Sequence, residues 1–233
     1  MLQRPIRRLS TLSSSPDMKV HVVPMTGRLA YIWHHAVQPH INRNYRHAAE
    51  GLDSTSVRAD VGWNWVHWLH LAGLHNLTRL AGGHGPAWAM SLVVDTGETG
   101  AFPIGMLTTV PQLNCTVLEE RRDRGFGWFL ADAPKEVYDE LKVPAAKGVA
   151  MALLDSGIQA ALESGQDGTF LLHAAPEGGE KLLRFYEQKV GMQRLSIDAP
   201  AITRIFRRRG SDEYFHFDDV VARAFSARFD AFR

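Results

Sequence analysis

The sequence predicts an α/β fold, an α+β arrangement on one mixed sheet of roughly six or seven strands with helices on both faces. Three observations carry that prediction. The hydrophobic period is near four residues up to Gly83 and changes to near two in the strands that begin at Ala87. The clearest helix, "GVAMALLDSGIQAALESG", lies between the apolar strands "GWFLA" and "TFLLHA". A strand–helix–strand unit makes its two strands parallel through a right-handed crossover. The flanking strands pair as hairpins, so the rest of the sheet is antiparallel.

The chain opens on "MLQRPIRRLSTLSSSPD", with three arginines, five serines or threonines, and its first acid at Asp17. That composition fits a flexible N-terminus over residues 1–17 or a transit peptide, and it lacks the apolar core of a secretory signal. Residues 18–233 read as a single domain with N-terminal helices at 27–83, a core at 87–217 and a C-terminal helix at 218–233. In "GRLAYIWHHAVQPHINRNYRHAAEGLD", Leu29, Ile32, Trp33, Ala36 and Val37 have helical spacing, and Pro39 divides the segment. In "WNWVHWLHLAGLHNLTRLAGG", Val61, Trp65, Trp68, Leu69 and Ala72 form one stripe, which Gly82 and Gly83 end.

"AWAMSLVVD" and "AFPIGMLTTV" read as strands joined by the turn "TGETG". "EERRDR" reads as a solvated loop before "GWFLA". "KEVYDELK" reads as a short helix after Pro134. In the long helix Ala150, Leu153, Leu154, Ile158, Ala161 and Leu162 share a face, and Gly165 marks the stop. "EKLLRFYEQKVG" turns Leu182, Leu183, Tyr186 and Val190 inward, with Gly191 as the residue after its C-cap. "AITRIFRR" and "EYFHF" read as a second hairpin around "RGSD". The closing helix is capped by Asp218 and aligns Val221, Phe225 and Phe229.

The composition excludes several classes. Hydrophobic residues are 45% and charged residues 22% of 233, ordinary for a soluble globular chain. A formal net charge of +1 points to neither nucleic acid nor an anionic membrane. Cys115 is the single cysteine, which rules out an internal disulfide and suits a cytoplasmic location. No apolar run approaches the roughly 18 residues of a membrane span. His67 and His70 are one turn apart, and His34 and His35 precede His40, but no Cys or carboxylate joins them at ligand spacing; no metal is expected. Trp63, Trp65 and Trp68 read as core or interface residues, and Arg207 to Arg209 as part of a charged turn.

Two stretches carry chemistry. In "AAKGVA", Gly148 and Ala150 let backbone approach an anion at the first, unpaired amides of a helix, where the dipole favours negative charge and Lys147 adds a cation. In "LLHAAPEGGEKLLRFYEQKVGMQRL", Pro176, Gly178 and Gly179 make a sharp turn at the C-terminal end of a parallel strand, the end where open α/β sheets bind ligands. His173 and Asp132 end the two parallel strands and are expected in one crevice, His173 as a base near neutral pH. Glu119 and Glu120 are further candidate bases.

The order of elements and these two stretches resemble the GNAT superfamily of acyl-CoA-dependent N-acetyltransferases, over about Trp88 to Phe217. The resemblance implies a GNAT-like fold that transfers an acetyl group from acetyl-CoA to a primary amine of a small molecule or peptide. It places pantetheine along Phe129, Leu130 and Ala131, and pyrophosphate at Lys147, Gly148, Val149 and Ala150. Gly178, Gly179 and Phe185 fall in the cofactor wall, and Tyr186 matches the family phenol that assists thiolate departure. The chain departs from the pattern in four places. Ala145 replaces an Arg or Gln, and Gly179 stands where Asn is common. One extra residue precedes Gly191, and "DAPKEVYDELKVP" intervenes before Gly148. These departures keep a second class open, a non-catalytic GNAT-like domain for ligand sensing or protein interaction. A homodimer is compatible with either.

Overall fold

The computed structural model describes residues 2–13, 16–50, 53–97, 100–195 and 213–233. Of the stretch expected to be flexible, residues 1–17, it describes 2–13 and 16–17. Strand β1 (Arg8–Leu9) pairs antiparallel with β2 (Met18–Lys19). Leu2, Ile6 and Leu9 are buried in the main core. The Arg7 amide donates to the Phe232 carbonyl at 2.8 Å, and the Arg8 guanidinium to Ala231 O at 2.6 Å. The apolar residues of "PIRRL" pack inward while Arg7 and Arg8 stay exposed, an arrangement that bulk composition hides.

A short strand that the periodicity does not announce, β3 (His21–Pro24), follows. Helix α1 (Gly27–Ile32) continues through a π-helical turn, Trp33–Val37, into α2 (Gln38–Asn44). Pro39 closely follows the π-helical turn, so the helical run is locally widened there and is not broken. Helix α3 (Trp65–Thr78) starts at Asn64, whose side chain accepts from the amides of Val66 and His67. Val61 therefore lies before the helix rather than on its stripe.

Strand β4 (Trp88–Asp95) and strand β5 (Ala101–Val117) form the expected hairpin. Strand β6 (Glu120–Asp132) is much longer than "GWFLA". The segment read as the solvated loop "EERRDR" is instead a hairpin arm, closed by Leu118 and Glu119 at φ 49° and 67°. Two positive-φ residues match the twist of the strands. Glu120 pairs with Arg122 at 3.0 Å and Arg124 at 2.9 Å, which keeps it away from any crevice.

Helix α4 (Lys135–Leu141) and helix α5 (Val149–Glu163) come next, then β7 (Phe170–Ala174). Helix α6 (Gly179–Arg184) runs on as a second π-helical turn, Phe185–Val190, and ends at Gly191 with φ 87°. The wider turn absorbs the extra residue noted before Gly191. Strand β8 (Gln193–Arg194), strand β9 (Glu213–Phe217) and helix α7 (Asp219–Ala227) complete the chain. The arm "AITRIFRR" and Arg207 to Arg209 lie outside the described residues; β9 pairs with β7 and β8. On α7, Ala222 and Phe225 face inward, as does Phe229 just beyond it, and Val221 is 40% exposed, so the buried stripe is rotated from the expected one.

The sheet is seven-stranded in the order β3-β4-β5-β6-β7-β9-β8. It is mixed: β6 and β7 pair in parallel, and the other described pairs are antiparallel. Helix α5 supplies the crossover.

His216 on β9 is buried, and neither ring nitrogen has a hydrogen-bond partner among the described residues. Loss of solvent first, and then the Arg124 cation, push its pKa down. Burial lowers His75 and His84 as well. The unfolded chain therefore takes up protons that the folded one refuses. Stability is full above the unfolded value of about 6.5 and falls as the pH drops below it, by up to about 1.4 kcal/mol per pH unit for each such group. Urea unfolding from pH 7.5 to 5 is expected to show this loss, with a shallower slope in His216→Leu. An equal slope in the two proteins would exclude His216 as a source.

Candidate functional site

The parallel pairing holds for three positions, Gly125↔Phe170, Phe126↔Leu171 and Gly127↔Leu172. Glycine is needed there: a Cβ on Gly125 would lie 2.6 Å from the Phe170 ring. Then the strands part. On β5, Thr109 pairs with Gly127 but Thr108 with Phe129, so Trp128 is the extra residue of a bulge. Bulges bend a strand and increase its twist. Phe129, Leu130, Ala131 and Asp132 stay paired with β5, but β7 no longer covers their other edge.

The gap opens onto three cavities in series. The widest, about 570 Å³, lies at the N-terminus of α5 and is lined by Gly148, Val149, Ala150, Phe185, Lys189 and Arg228 among others. The next, about 290 Å³, shares Asp132, Ala150 and Phe185 with it and adds Arg58, Lys181 and Tyr186. The third, about 30 Å³, shares Leu130 and Tyr186 with the second and is walled by Trp63, Trp128, Phe129 and His173. Trp68 stacks on Phe129 with centroids 3.9 Å apart, and Trp63 meets Phe129 edge-on at 5.4 Å.

Most of the residues singled out from sequence converge here: Phe129, Leu130, Ala131, Asp132, Gly148, Val149, Ala150, His173, Gly178, Phe185 and Tyr186 all line these cavities. Gly148 caps α5 at φ 76° with no side-chain cap, so the helix's first amides keep their donors for another group. Two residues do not converge. Lys147 is exposed and lines none of the three cavities, and its amide donates to Ser10 O at 2.7 Å. Leu12 N donates to Ala145 O at 2.8 Å, so the N-terminal segment braces this loop.

Gly179 is also absent from the cavity walls; it has φ 53°, and a Cβ there would sit 2.5 Å from Ala48 Cβ. Close packing against the loop before α3 explains why glycine occupies a position where Asn is common in the resembled family. At φ 53° and ψ −159° the backbone lies outside the left-handed helical region that Asn tolerates, so Gly179→Asn meets both backbone strain and the contact. It is expected to lower stability by about 1–3 kcal/mol, and an unchanged thermal midpoint would exclude the clash.

His173 and Asp132, expected in one crevice, line different cavities. The Asp132 carboxylate is bound to the Arg58 guanidinium at 3.0 Å, which ties up the candidate base. Arg58 also donates twice to Asp60 at 2.8 Å and to Asp132 O at 2.7 Å. Across the gap, Lys181 Nζ donates to Thr55 O at 3.0 Å and Val57 O at 2.9 Å. The loop carrying Asp53 to Asp60 is thus fastened to β6 on one side and to α6 on the other. Sequence reading missed Arg58, Asp60, Lys181, Lys189 and Arg228. "SVRADVG" has no period, and the helix lysines and arginine look like solvated charges.

Tyr186 is 7% exposed, and its pKa is raised by burial first and then by the Asp132 and Asp60 carboxylates. Its hydroxyl remains protonated throughout the neutral range. Helix α4, which could have covered the gap, lines none of the cavities. Val137 and Tyr138 bury it in the core, and Glu140 meets His40 of α2 at 2.8 Å. Among the described residues no three His, Cys, Asp or Glu side chains gather at metal-binding distance, and no helix is long and apolar enough to cross a membrane.

Fold and site together define a class: an open α/β domain whose diverging parallel strands and glycine-capped helix border a series of adjoining cavities. No protein-family model matches the chain, and no curated protein matches it. Solved structures do. It is similar to an acetyltransferase of the GNAT family from Staphylococcus aureus Mu50, at 12% identity over 84% of this chain and 97% of that one, with a TM-score of 0.45. It is similar to a mutant AtaT toxin bound to the C-terminus of the antitoxin AtaR and acetyl-CoA, at 11% identity over 91% and 98%, TM-score 0.46. It is also similar to the KacTA–DNA complex, at 14% identity over 90% and 99%, TM-score 0.45.

Proposed function

We propose that the chain is an N-acyltransferase of GNAT type that moves an acetyl group from acetyl-CoA to a primary amine of a small molecule or peptide. The observation that carries this reading is the parting of β6 from β7 after Gly127, which leaves a strip of strand edge beside the first turn of α5. A pantetheine arm carries amides that need such an edge. A diphosphate needs unpaired amide donors and cations; Gly148 to Ala150 lie at the helix start, with Lys189 and Arg228 on the same cavity. Acetyl-CoA, when bound, supplies an acyl group activated as a thioester.

The chain's residues then have distinct tasks. Trp63, Trp128 and Phe129 exclude water from the narrow end. His173, the imidazole on the wall of the narrow end, takes the proton that the attacking amine sheds. Tyr186 donates a hydrogen bond to the departing sulfur. A thiol titrates near 8.5 and a phenol near 10, and Tyr186 is pushed higher still, so it holds its proton while it steadies the thiolate. Asp132 positions Arg58.

Calorimetric titration with CoA tests the site. Gly148→Ala carries the cost of the left-handed φ and of a 3.3 Å contact with Met151 Cε; Gly148→Glu adds a carboxylate beside the diphosphate position. The glutamate variant is expected to bind at least about tenfold more weakly than the alanine variant. Equal affinities, or no heat with wild type at millimolar CoA, would refute the reading.

A second reading, a ligand-sensing or protein-interaction domain without catalysis, is favoured by Ala145, by Gly179 and by the Arg58–Asp132 pair. Release of free CoA from acetyl-CoA across a panel of amines separates the two, since a sensor binds without turnover.

A further inference from the structure

We propose that Lys181 is a self-acetylation site: its Nζ accepts the acetyl group of a thioester bound in the crevice, and the modification frees the Asp53–Asp60 loop from α6. This rests on the acetyl-CoA reading above. Lys181 lines the middle cavity together with Leu130, Ala131 and Tyr186, where that reading lays the pantetheine arm. Lys189 lines only the wide cavity at the start of α5, beside the proposed diphosphate position. Two backbone carbonyls, Thr55 O and Val57 O, hold Nζ at the crevice edge. Loss of solvent first, and the Arg58 cation second, lower its pKa, which enlarges the fraction present as the nucleophilic amine.

The step balances simply. The neutral Nζ forms a C–N bond to the acetyl carbonyl carbon. The C–S bond breaks, and its electron pair leaves with sulfur as a thiolate. The nitrogen sheds one proton, which returns the thiolate to a thiol. The product is a neutral amide with a single N–H where the ammonium had three. One donor cannot serve both Thr55 O and Val57 O, and the positive charge that held them is gone. The loop then keeps Arg58 as its tie to β6 and loses its tie to α6.

The test uses the full chain with acetyl-CoA, followed by peptide mass spectrometry over time. Lys181 is expected to gain an acetyl group at least about tenfold faster than the exposed Lys135 and Lys142, because the bound thioester is held beside it. Acetyl phosphate, which needs no CoA crevice, is expected to erase that preference, and excess CoA to suppress it. Calorimetric binding of CoA without preferential acetylation of Lys181 overturns this proposal and leaves the parent reading standing. Absence of CoA binding takes both down. For the loop, amide exchange from Thr55 to Asp60 is expected to quicken in Lys181→Gln and to stay at the wild-type rate in Lys181→Arg. Unchanged exchange in the glutamine variant overturns the release.

Discussion

Arg233→Leu is expected to lower stability by about 3–5 kcal/mol, the usual cost of removing one partner from a buried ion pair. Asp155 on α5 is 0% exposed and bonds the Arg233 guanidinium at 2.8 Å. Ser226 Oγ donates to the same carboxylate oxygen at 2.5 Å, and Gln159 donates to Ser226 at 2.7 Å. Arg233 also donates to Arg4 O at 2.7 Å, so one side chain joins the N-terminal segment, α5 and α7. For a chain of this length the loss corresponds to roughly 6–20 °C in thermal midpoint. Its pH dependence has a definite sign. Burial already raises the Asp155 pKa above the ordinary carboxylate value even with Arg233 present. Without the cation it rises further, and the folded state takes up a proton that the unfolded chain, near 3.9, does not. The gap between variant and wild type is therefore expected to narrow as the pH falls from 7 toward 5. A constant gap would mean that lost packing, not an unpaired carboxylate, causes the destabilisation.

The second large effect is on turnover. Tyr186→Phe keeps the ring against Phe185 and Phe215, with centroids at 5.4 and 5.2 Å, and removes the hydroxyl alone. A hydrogen bond to a charged group contributes about 1.5–3 kcal/mol, which is roughly a ten- to hundredfold change in rate. With an acceptor amine in hand, kcat is expected to fall by that factor while the thermal midpoint stays within a degree or two. Unchanged turnover would leave Tyr186 a core residue. A large loss of stability would instead point to a hydroxyl satisfied inside the fold.

Within the site, the legible residues are those that local sequence constrains. Gly148 announces itself as a small residue directly before the helical period that begins at Val149, where backbone can approach an anion. Tyr186 does so because Gly191 stops its helix. The pair Arg58 and Asp132 leaves no such trace. The two are 74 residues apart and meet only after β6 and the loop before α3 are folded. Lys181 looks like a solvated helix lysine until Thr55 and Val57 present their carbonyls to it. The hairpin arm from Glu120 looks like a loop in sequence because its turn, Leu118 and Glu119, contains no glycine and its strand is charged. The charge is tolerable there because Arg122 and Arg124 find Glu120, and Arg122 also finds Asp167.

By itself the sequence determined the class of fold, the parallel pair, the helix beginning at Gly148 and the position of the tyrosine. Those follow from periodicity, chain stops and the handedness of crossovers, all set within a few residues or one unit of the chain. Tertiary structure alone decided that Trp128 bulges and parts the strands, that Ser10 and Leu12 brace the loop before Gly148, and that Arg58 and Lys181 fasten a loop across the gap. Such contacts join segments far apart in the chain. Their energy appears only when water leaves between them, and no local pattern of residues records which partner each will find.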